Sequence, residues 1–307
     1  MTFLILSVLG YFLNALTILI DKFLVNKGIP NPLTYTFYLG LLSFTVLLLL
    51  PFGFHIPTFE VLLLSLISGI TFVFGWISFY YSLKFDEASR VAPIVGTLTA
   101  IFTFWLGFLL FKQSLSFAEI VSVLILILGL VMLSSSSWFK SKLEREHLLS
   151  MIISGFCFAL SSVFLREVFL KSSFLDGLIL SRLAMGLFVI SWLFIPKIKA
   201  QLFLGQISRN HFKNQTSLLF LGGQIIGGLG GLLLTFSISL ISPAIINSLA
   251  GTQYIFILIA TLILGKHNRH LLDEDYTKHT LVHKILGSVT IMIGLAILAL
   301  NDGGFKL

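Results

Sequence analysis

Ten long apolar stretches run through the sequence, and they constrain the fold more than any other feature. An α-helix rises 1.5 Å per residue, so roughly 17–20 residues cross a hydrocarbon core of ~30 Å. With 57% hydrophobic and only 11% charged residues, the chain does not resemble a soluble domain, in which about 25% of residues are charged. We predict an all-α integral membrane protein with ten transmembrane helices. The stretches are 2–24, 32–50, 60–83, 88–111, 116–137, 148–170, 174–195, 217–239, 243–264 and 281–300.

The second five stretches repeat the first five. Gly10 in the first stretch corresponds to Gly155 in the sixth, and Gly129 in the fifth corresponds to Gly294 in the tenth. Because five is an odd number, the second copy enters the membrane in the opposite orientation. Inverted repeats around a central cavity are typical of secondary transporters, whose substrate site lies between the repeats.

This duplication also predicts the domain organisation. We expect a first five-helix repeat at 1–137, a cytoplasmic linker at 138–147 and a second five-helix repeat at 148–307. The polar connections are too short to form a soluble domain.

The basic residues are distributed unevenly between the two sides of the predicted bundle. Of the 20 Lys and Arg residues, 15 lie on the side of the 138–147 linker and four on the side of the termini, while Arg182 lies within a span. The positive-inside rule places the linker in the cytoplasm and both termini outside. The net charge of +7 is thus explained by topology. We expect a multi-pass protein of the cell (inner) membrane, a monomer or a homodimer, with the lipid bilayer and not nucleic acid as partner.

The ends of the two halves carry a resemblance to a known family. The segments concerned are Ala88–Pro93, Ile101–Phe102 and Leu126–Leu130, with Ile241–Pro243, Ile255–Phe256 and Ile291–Leu295 as their counterparts. In these segments the chain resembles the ten-helix EamA-type members of the drug/metabolite transporter superfamily. The resemblance implies a metabolite transporter, more often an exporter. It also implies cytoplasmic termini, in conflict with the charge distribution.

Residues with catalytic or proton-carrying chemistry are predicted to lie away from the membrane centre. All 13 acidic residues fall outside the spans or within about one turn of a span end, with Asp21, Glu119 and Glu167 the deepest. All seven histidines lie in connections or at helix ends. We therefore predict no proton relay, no enzymatic activity, no cofactor and no metal site.

Arg182 is the one basic residue predicted deep within a span, roughly 12 Å from its start. One interpretation is that its guanidinium binds a carboxylate or phosphate of the substrate in a bidentate manner. The alternative is that it pairs with Glu167 or extends to the interface.

Uncharged polar and aromatic side chains form a second group of candidates. Asn247 and Gln253 are about 120° apart on a regular helix and should not both face one pocket. An interhelical hydrogen bond or an interfacial anchor is the alternative role for each residue. The predicted substrate-binding residues, besides Arg182, are Asn14, Tyr38, Trp76, Tyr80, Gln224, Asn247 and Gln253.

Two further patterns predict local structure. Gly223, Gly227 and Gly231 follow a GxxxG spacing, which favours close helix packing in lipid, although so many glycines also make this a candidate bending point. The connection 196–215 alternates apolar and basic residues, as in a short interfacial helix.

From these features we predict a secondary transporter that moves a small organic metabolite by alternating access, as an exporter or exchanger. Two alternatives remain at this point. One is a lipid-carrier flippase with the same fold, which would need a lateral opening between helices. The other is a non-transporting membrane assembly protein, which would need no cavity.

Overall fold

A computed structural model describes residues 2–111, 117–134, 142–204, 214–267 and 278–301, and these are helical apart from short connections. The helices are α1 (Thr2–Lys27), α2 (Pro32–Leu42), α3 (Phe59–Phe85), α4 (Ala88–Phe111), α5 (Phe117–Ser134), α6 (Lys142–Lys171), α7 (Phe174–Ser191), α8 (Pro196–Leu204), α9 (Asn214–Leu240), α10 (Pro243–Ser248), α11 (Gly251–His267) and α12 (Lys278–Asn301).

Eight helical segments of the described chain are long and apolar enough to cross a membrane. They correspond to the first four predicted spans and to spans six to nine. Shorter apolar runs, Ile120–Gly129 in α5 and Ile285–Gly294 in α12, lie at the fifth and tenth. The protein is therefore an all-helical, multi-pass membrane protein, while the count of ten spans stays a prediction.

Two spans are interrupted. α2 continues as a 3₁₀ helix over Ser43–Phe52, hereafter the 3₁₀ segment, which ends at Gly53 with a positive φ of 112°. The ninth span is broken between α10 and α11, at Leu249 and Ala250. Hydrogen-bond geometry is poorer in 3₁₀ than in α-helix, so a 3₁₀ stretch of ten residues is uncommon.

The glycines of α9 allow close packing against α1. A Cβ atom at Gly223 would lie 2.8 Å from Ile20, and one at Gly227 would lie 2.8 Å from Thr17. α9 is continuous across the glycine run, so close packing is confirmed there and the bending point is not. The third close approach is at Gly230, rather than at the predicted Gly231.

The contacts between the repeats follow two-fold symmetry. In α5 and α12, a Cβ atom at Gly129 would meet Ile291, and one at Gly294 would meet Leu126. Gly294 is 165 residues after Gly129, and Ile291 is 165 residues after Leu126, so each contact becomes the other when the two repeats are exchanged. The contacts also run in opposite directions along the two helices, which makes the helices antiparallel. A two-fold axis that relates antiparallel helices is perpendicular to them, and so lies in the membrane plane.

α2 and α7 show the same reciprocity around Gly40 and Gly186. A Cβ atom at Gly40 would clash with Val189, and one at Gly186 would lie 3.0 Å from Ser43. Gly186 is 146 residues after Gly40, and Val189 is 146 residues after Ser43, so these two contacts are exchanged in the same way. Two independent helix pairs thus support one axis between the repeats.

Charged residues at the ends of α1 and α6 repeat one interaction. Lys22 donates to the carbonyl oxygens of Leu83 and Asp86 at 2.9 and 2.8 Å, at the end of α3. Arg166 donates to the carbonyl oxygens of Ile238 and Ser239 at the end of α9. A cation at the carboxyl end of a helix satisfies carbonyls that have no intrahelical donor.

α8 lies within the predicted interfacial connection and carries Lys197 and Lys199 on an exposed surface. Residues 205–213 of that connection lie outside the described chain. The predicted linker overlaps the start of α6 at Lys142, and its residues 138–141 also lie outside the described chain.

Candidate functional site

The bundle encloses a cavity of about 680 Å³ between the two repeats. Its lining comes from α1, α2, the 3₁₀ segment, α3, α4, α6, α7, α9, α10 and α11. This volume is within the range of about 300–1,000 Å³ typical of ligand pockets. The cavity therefore has the size and the position, between the repeats, of a transporter substrate site.

The cavity is closed toward one side of the membrane and extends toward the other. Its lining stops at Asp21 in α1 and Tyr80 in α3, several residues before these helices end. On the opposite side, the side of the N-terminus, it reaches Ile238 in α9 and Leu49 in the 3₁₀ segment, within a turn of their ends. We refer to these as the closed end and the open end.

Asp21 lies at the closed end and is fully buried. Its carboxylate accepts hydrogen bonds from the hydroxyls of Tyr35 at 2.5 Å and Tyr80 at 3.1 Å, and from Nε2 of Gln224 at 3.3 Å. These residues come from α1, α2, α3 and α9, so the cluster ties the two repeats together. All of its donors are uncharged.

This position of Asp21 corrects the prediction that acidic residues avoid the interior of the spans. α1 continues to Lys27, beyond the predicted end at 24, and its last turns pack against α3 and α9. Asp21 therefore lies inside the bundle. The sequence signal was its helical spacing from Asn14 and Thr17, which places all three on one face of α1.

Arg182 lines the cavity from α7. Its guanidinium carbon lies 5.0 Å from the centroid of the Phe72 ring, a cation–π contact. Among the described residues, Arg182 forms no ion pair with Glu167 or with any other carboxylate. The alternative role of pairing with Glu167 is thus not seen, and the cation faces the cavity without a counter-ion.

Aromatic rings connect Arg182 to Asp21 along one face of α3. Phe72 and Trp76 are in edge-to-face contact at 5.8 Å, and Trp76 stacks on Tyr80 at 5.1 Å. These positions are four residues apart, so their rings follow one another along the helix. The indole Nε1 of Trp76 is buried and has no hydrogen-bond partner among the described residues. The cavity thus has a guanidinium group and a carboxyl group joined by an aromatic wall.

Seven of the eight predicted binding residues line this cavity, namely Asn14, Trp76, Tyr80, Arg182, Gln224, Asn247 and Gln253. Their role in substrate binding stays a prediction. Tyr38 does not join them, because its ring packs against Phe37 and Phe220 outside the cavity lining.

Asn247 and Gln253 both line the cavity, contrary to the expectation from helical periodicity. The break between α10 and α11 falls between them and changes the azimuth that a continuous helix would impose. Asn247 also donates to the hydroxyl of Thr103 at 3.0 Å, so it fixes α10 against α4.

Comparisons with known proteins agree with this architecture. Residues 1–135, the first repeat, match the EamA-like transporter family. A solved crystal structure aligns over 98% of this chain and 98% of its own length, with a TM-score of 0.62 and 14% sequence identity. At that identity the similarity establishes the fold alone. No curated protein matches the chain.

The fold is that of an all-helical, multi-pass membrane protein with a cavity between its two repeats. The match to the EamA-like transporter family over residues 1–135 confirms, for this part of the chain, the resemblance to the drug/metabolite transporter superfamily found in the sequence.

Proposed function

We propose that the protein is a secondary transporter of a small organic metabolite that carries an anionic group, working as an exporter or exchanger. The observation that carries this proposal is Arg182, a cation inside the cavity without a carboxylate partner. A charge in the membrane interior is costly and calls for compensation by a ligand or partner. A carboxylate or phosphate on the substrate would supply it.

Alternating access is supported by a difference between the two repeats. α3 packs closely on α7, where a Cβ atom at Gly69 would lie 2.7 Å from Ala184. Two-fold symmetry relates this pair to α9 and α2, which pack less closely and meet through side chains such as Tyr38 and Phe220. Identical repeats would make identical contacts, so the two repeats hold different conformations. Exchange of these conformations would close the open end and open the closed end.

The orientation of the chain is part of this proposal. The excess of Lys and Arg on the linker side favours a cytoplasmic linker, with both termini outside and the cavity open to the outside. A non-transporting assembly protein has no use for such a cavity, and we therefore do not favour that alternative.

Arg182→Lys provides the test of an anionic substrate. The purified protein is first screened by thermal shift against carboxylates, phosphates, neutral metabolites and amines, since a ligand stabilises the folded state that it binds. Counterflow of the stabilising compound is then measured in proteoliposomes. We expect stabilisation by an anion, and a loss of affinity of roughly 10- to 150-fold in Arg182→Lys, or about 1.5–3 kcal/mol. An ammonium keeps the charge but loses the bidentate geometry.

Arg166→Lys is the matched control. In the first repeat, Lys22 makes the equivalent contact with carbonyl oxygens at a helix end. The ammonium introduced by Arg166→Lys should therefore bind the corresponding carbonyl oxygens in the second repeat. Stabilisation only by neutral compounds or amines, or normal affinity in Arg182→Lys, would contradict the proposal.

A further inference from the structure

The cavity has a second opening, through the side of the bundle. α9 packs along α1 and lies apart from the 3₁₀ segment. Between them, several residues line the cavity and also have a large exposed fraction, as Leu48 (75%), Ile225 (63%) and Leu229 (53%) show. We call this gap the lateral opening. Its edges are Thr45 and Leu48 on the 3₁₀ segment and Ile225, Gly228, Leu229 and Leu232 on α9.

The lateral opening lies at the level of the lipid chains. Gly228 is in the middle of α9, which spans Asn214–Leu240. At 1.5 Å per residue, the edge at Gly228 is roughly 18–21 Å from either helix end. Four of the six edge residues are leucine or isoleucine. The gap therefore connects the cavity with hydrocarbon and not with water.

Arg182 lies directly behind this opening. A Cβ atom at Gly231 would lie 3.8 Å from a guanidinium nitrogen of Arg182, and Gly231 is one helical turn from Gly228. An oxyanion bound to Arg182 would therefore be next to a gap lined by apolar side chains. The charge and the gap together fit a molecule with an anionic head and an apolar chain.

We propose that the transported substrate is an anionic amphiphile. Its carboxylate or phosphate head binds Arg182 in the cavity, and its alkyl chain passes through the lateral opening into the bilayer. This inference rests on the proposed function, because it names the class of the anionic substrate. Burial of the chain against lipid, and not within protein, would allow chains of different lengths to be carried by one cavity.

Gly228 offers a way to block the opening without disturbing the fold. A Cβ atom there would meet nothing within 4 Å, so Gly228→Leu should be accommodated while it fills the gap. Gly222 is the matched control, because it also has open space around its Cβ position and lies on the same helix but does not line the cavity.

The probes are dodecyl phosphate and ethyl phosphate, which share a head group and differ in chain length. Binding is measured with the protein in lipid nanodiscs, for the wild type, Gly228→Leu, Gly222→Leu and Arg182→Gln. We expect Gly228→Leu to weaken the binding of dodecyl phosphate about tenfold. This is the loss of affinity expected when roughly two methylene groups are excluded from their site. Ethyl phosphate should be unaffected. Gly222→Leu should bind both probes as the wild type does. Because this variant is measured in the same lipid, it controls for the partitioning of dodecyl phosphate into the bilayer.

Arg182→Gln separates failure of this inference from failure of the proposed function. Loss of both probes in Arg182→Gln, with dodecyl phosphate unaffected by Gly228→Leu, would overturn the amphiphile and leave the anionic substrate standing. Probe binding that does not respond to Arg182→Gln would overturn both. The expected result is that Gly228→Leu weakens the binding of dodecyl phosphate and that Arg182→Gln weakens the binding of both probes.

Discussion

At the scale of single residues, Asp21 is the acceptor of a hydrogen-bonded cluster and lies where the two repeats meet at the closed end. It is a fully buried carboxylate within a membrane span, and it is held by three uncharged donors. Because Gln224 belongs to the second repeat while Asp21, Tyr35 and Tyr80 belong to the first, the cluster joins the repeats where the cavity is closed. Opening of that end would require Gln224 to separate from its partners.

Replacement of Asp21 by leucine should destabilise the protein. The hydroxyls of Tyr35 and Tyr80 would lose their acceptor, and each orphaned buried donor costs about 1–3 kcal/mol, so we expect a loss of about 2–6 kcal/mol. Asp21→Asn keeps one acceptor oxygen and should lose about 1 kcal/mol. Unfolding by SDS in mild detergent measures both changes.

Asn14→Leu is the control for this series. Asn14 lies on the same face of α1 and lines the cavity, but within the described chain its side chain makes no hydrogen bond. It should therefore unfold as the wild type does. Wild-type stability of Asp21→Leu would show that the cluster does not hold the closed end together.

At the scale of helices, apolar length and glycine spacing predicted most of the structure. The bounds of α4 at 88–111 agree with the predicted stretch, and close packing of α9 followed from its glycines. The 3₁₀ segment and the break at Leu249 did not follow, because Pro51 lies near the end of the 3₁₀ segment and Gly251 lies after the break, so neither residue marks where the α-helix is interrupted. The break is held by tertiary contacts, including the hydroxyl of Tyr11, which donates to the carbonyl of Ile246 at 2.8 Å.

Adjacent glycines in α9 should respond oppositely to the same substitution. Gly223→Leu places a side chain against Ile20 in α1, and such overpacking costs typically 1–3 kcal/mol. Gly222→Leu meets no neighbour and replaces a poor helix former, so its stability should be unchanged or higher by up to about 1 kcal/mol. The midpoints of SDS unfolding for the two variants decide this. Equal destabilisation would show that helix composition, and not the contact with α1, requires glycine.

At the scale of the whole molecule, the symmetry could be predicted and the departure from it could not. The offset between Gly129 and Gly294 in the sequence reappears as reciprocal contacts between α5 and α12. The separation of α9 from the 3₁₀ segment could not be predicted, because similar repeats lead one to expect equivalent contacts in both halves. Likewise, seven predicted residues met in one cavity, but its closed end depended on Asp21, which lies near a helix end in the sequence.

The orientation of the chain and the direction in which the cavity opens can be tested together by cysteine labelling. Cys157 is first replaced by serine, which leaves a cysteine-free background. A cysteine is then placed at Glu146 on the linker side, at Ile56 on the opposite side, where the exposed fraction is 94%, or at Ser162 in the cavity wall. Because most basic residues lie on the linker side, a membrane-impermeant maleimide should label Glu146→Cys only from the cytoplasm and Ile56→Cys only from outside.

Ser162→Cys should be labelled from the same side as Ile56→Cys, since the cavity extends to that side and is closed by the Asp21 cluster on the other. Labelling of Glu146→Cys from outside and of Ile56→Cys from the cytoplasm would reverse the orientation and restore cytoplasmic termini. In that case the cavity described here would open to the cytoplasm. Labelling of Ser162→Cys from the side of Glu146 would instead show that, in the membrane, the protein rests with the Asp21 cluster open.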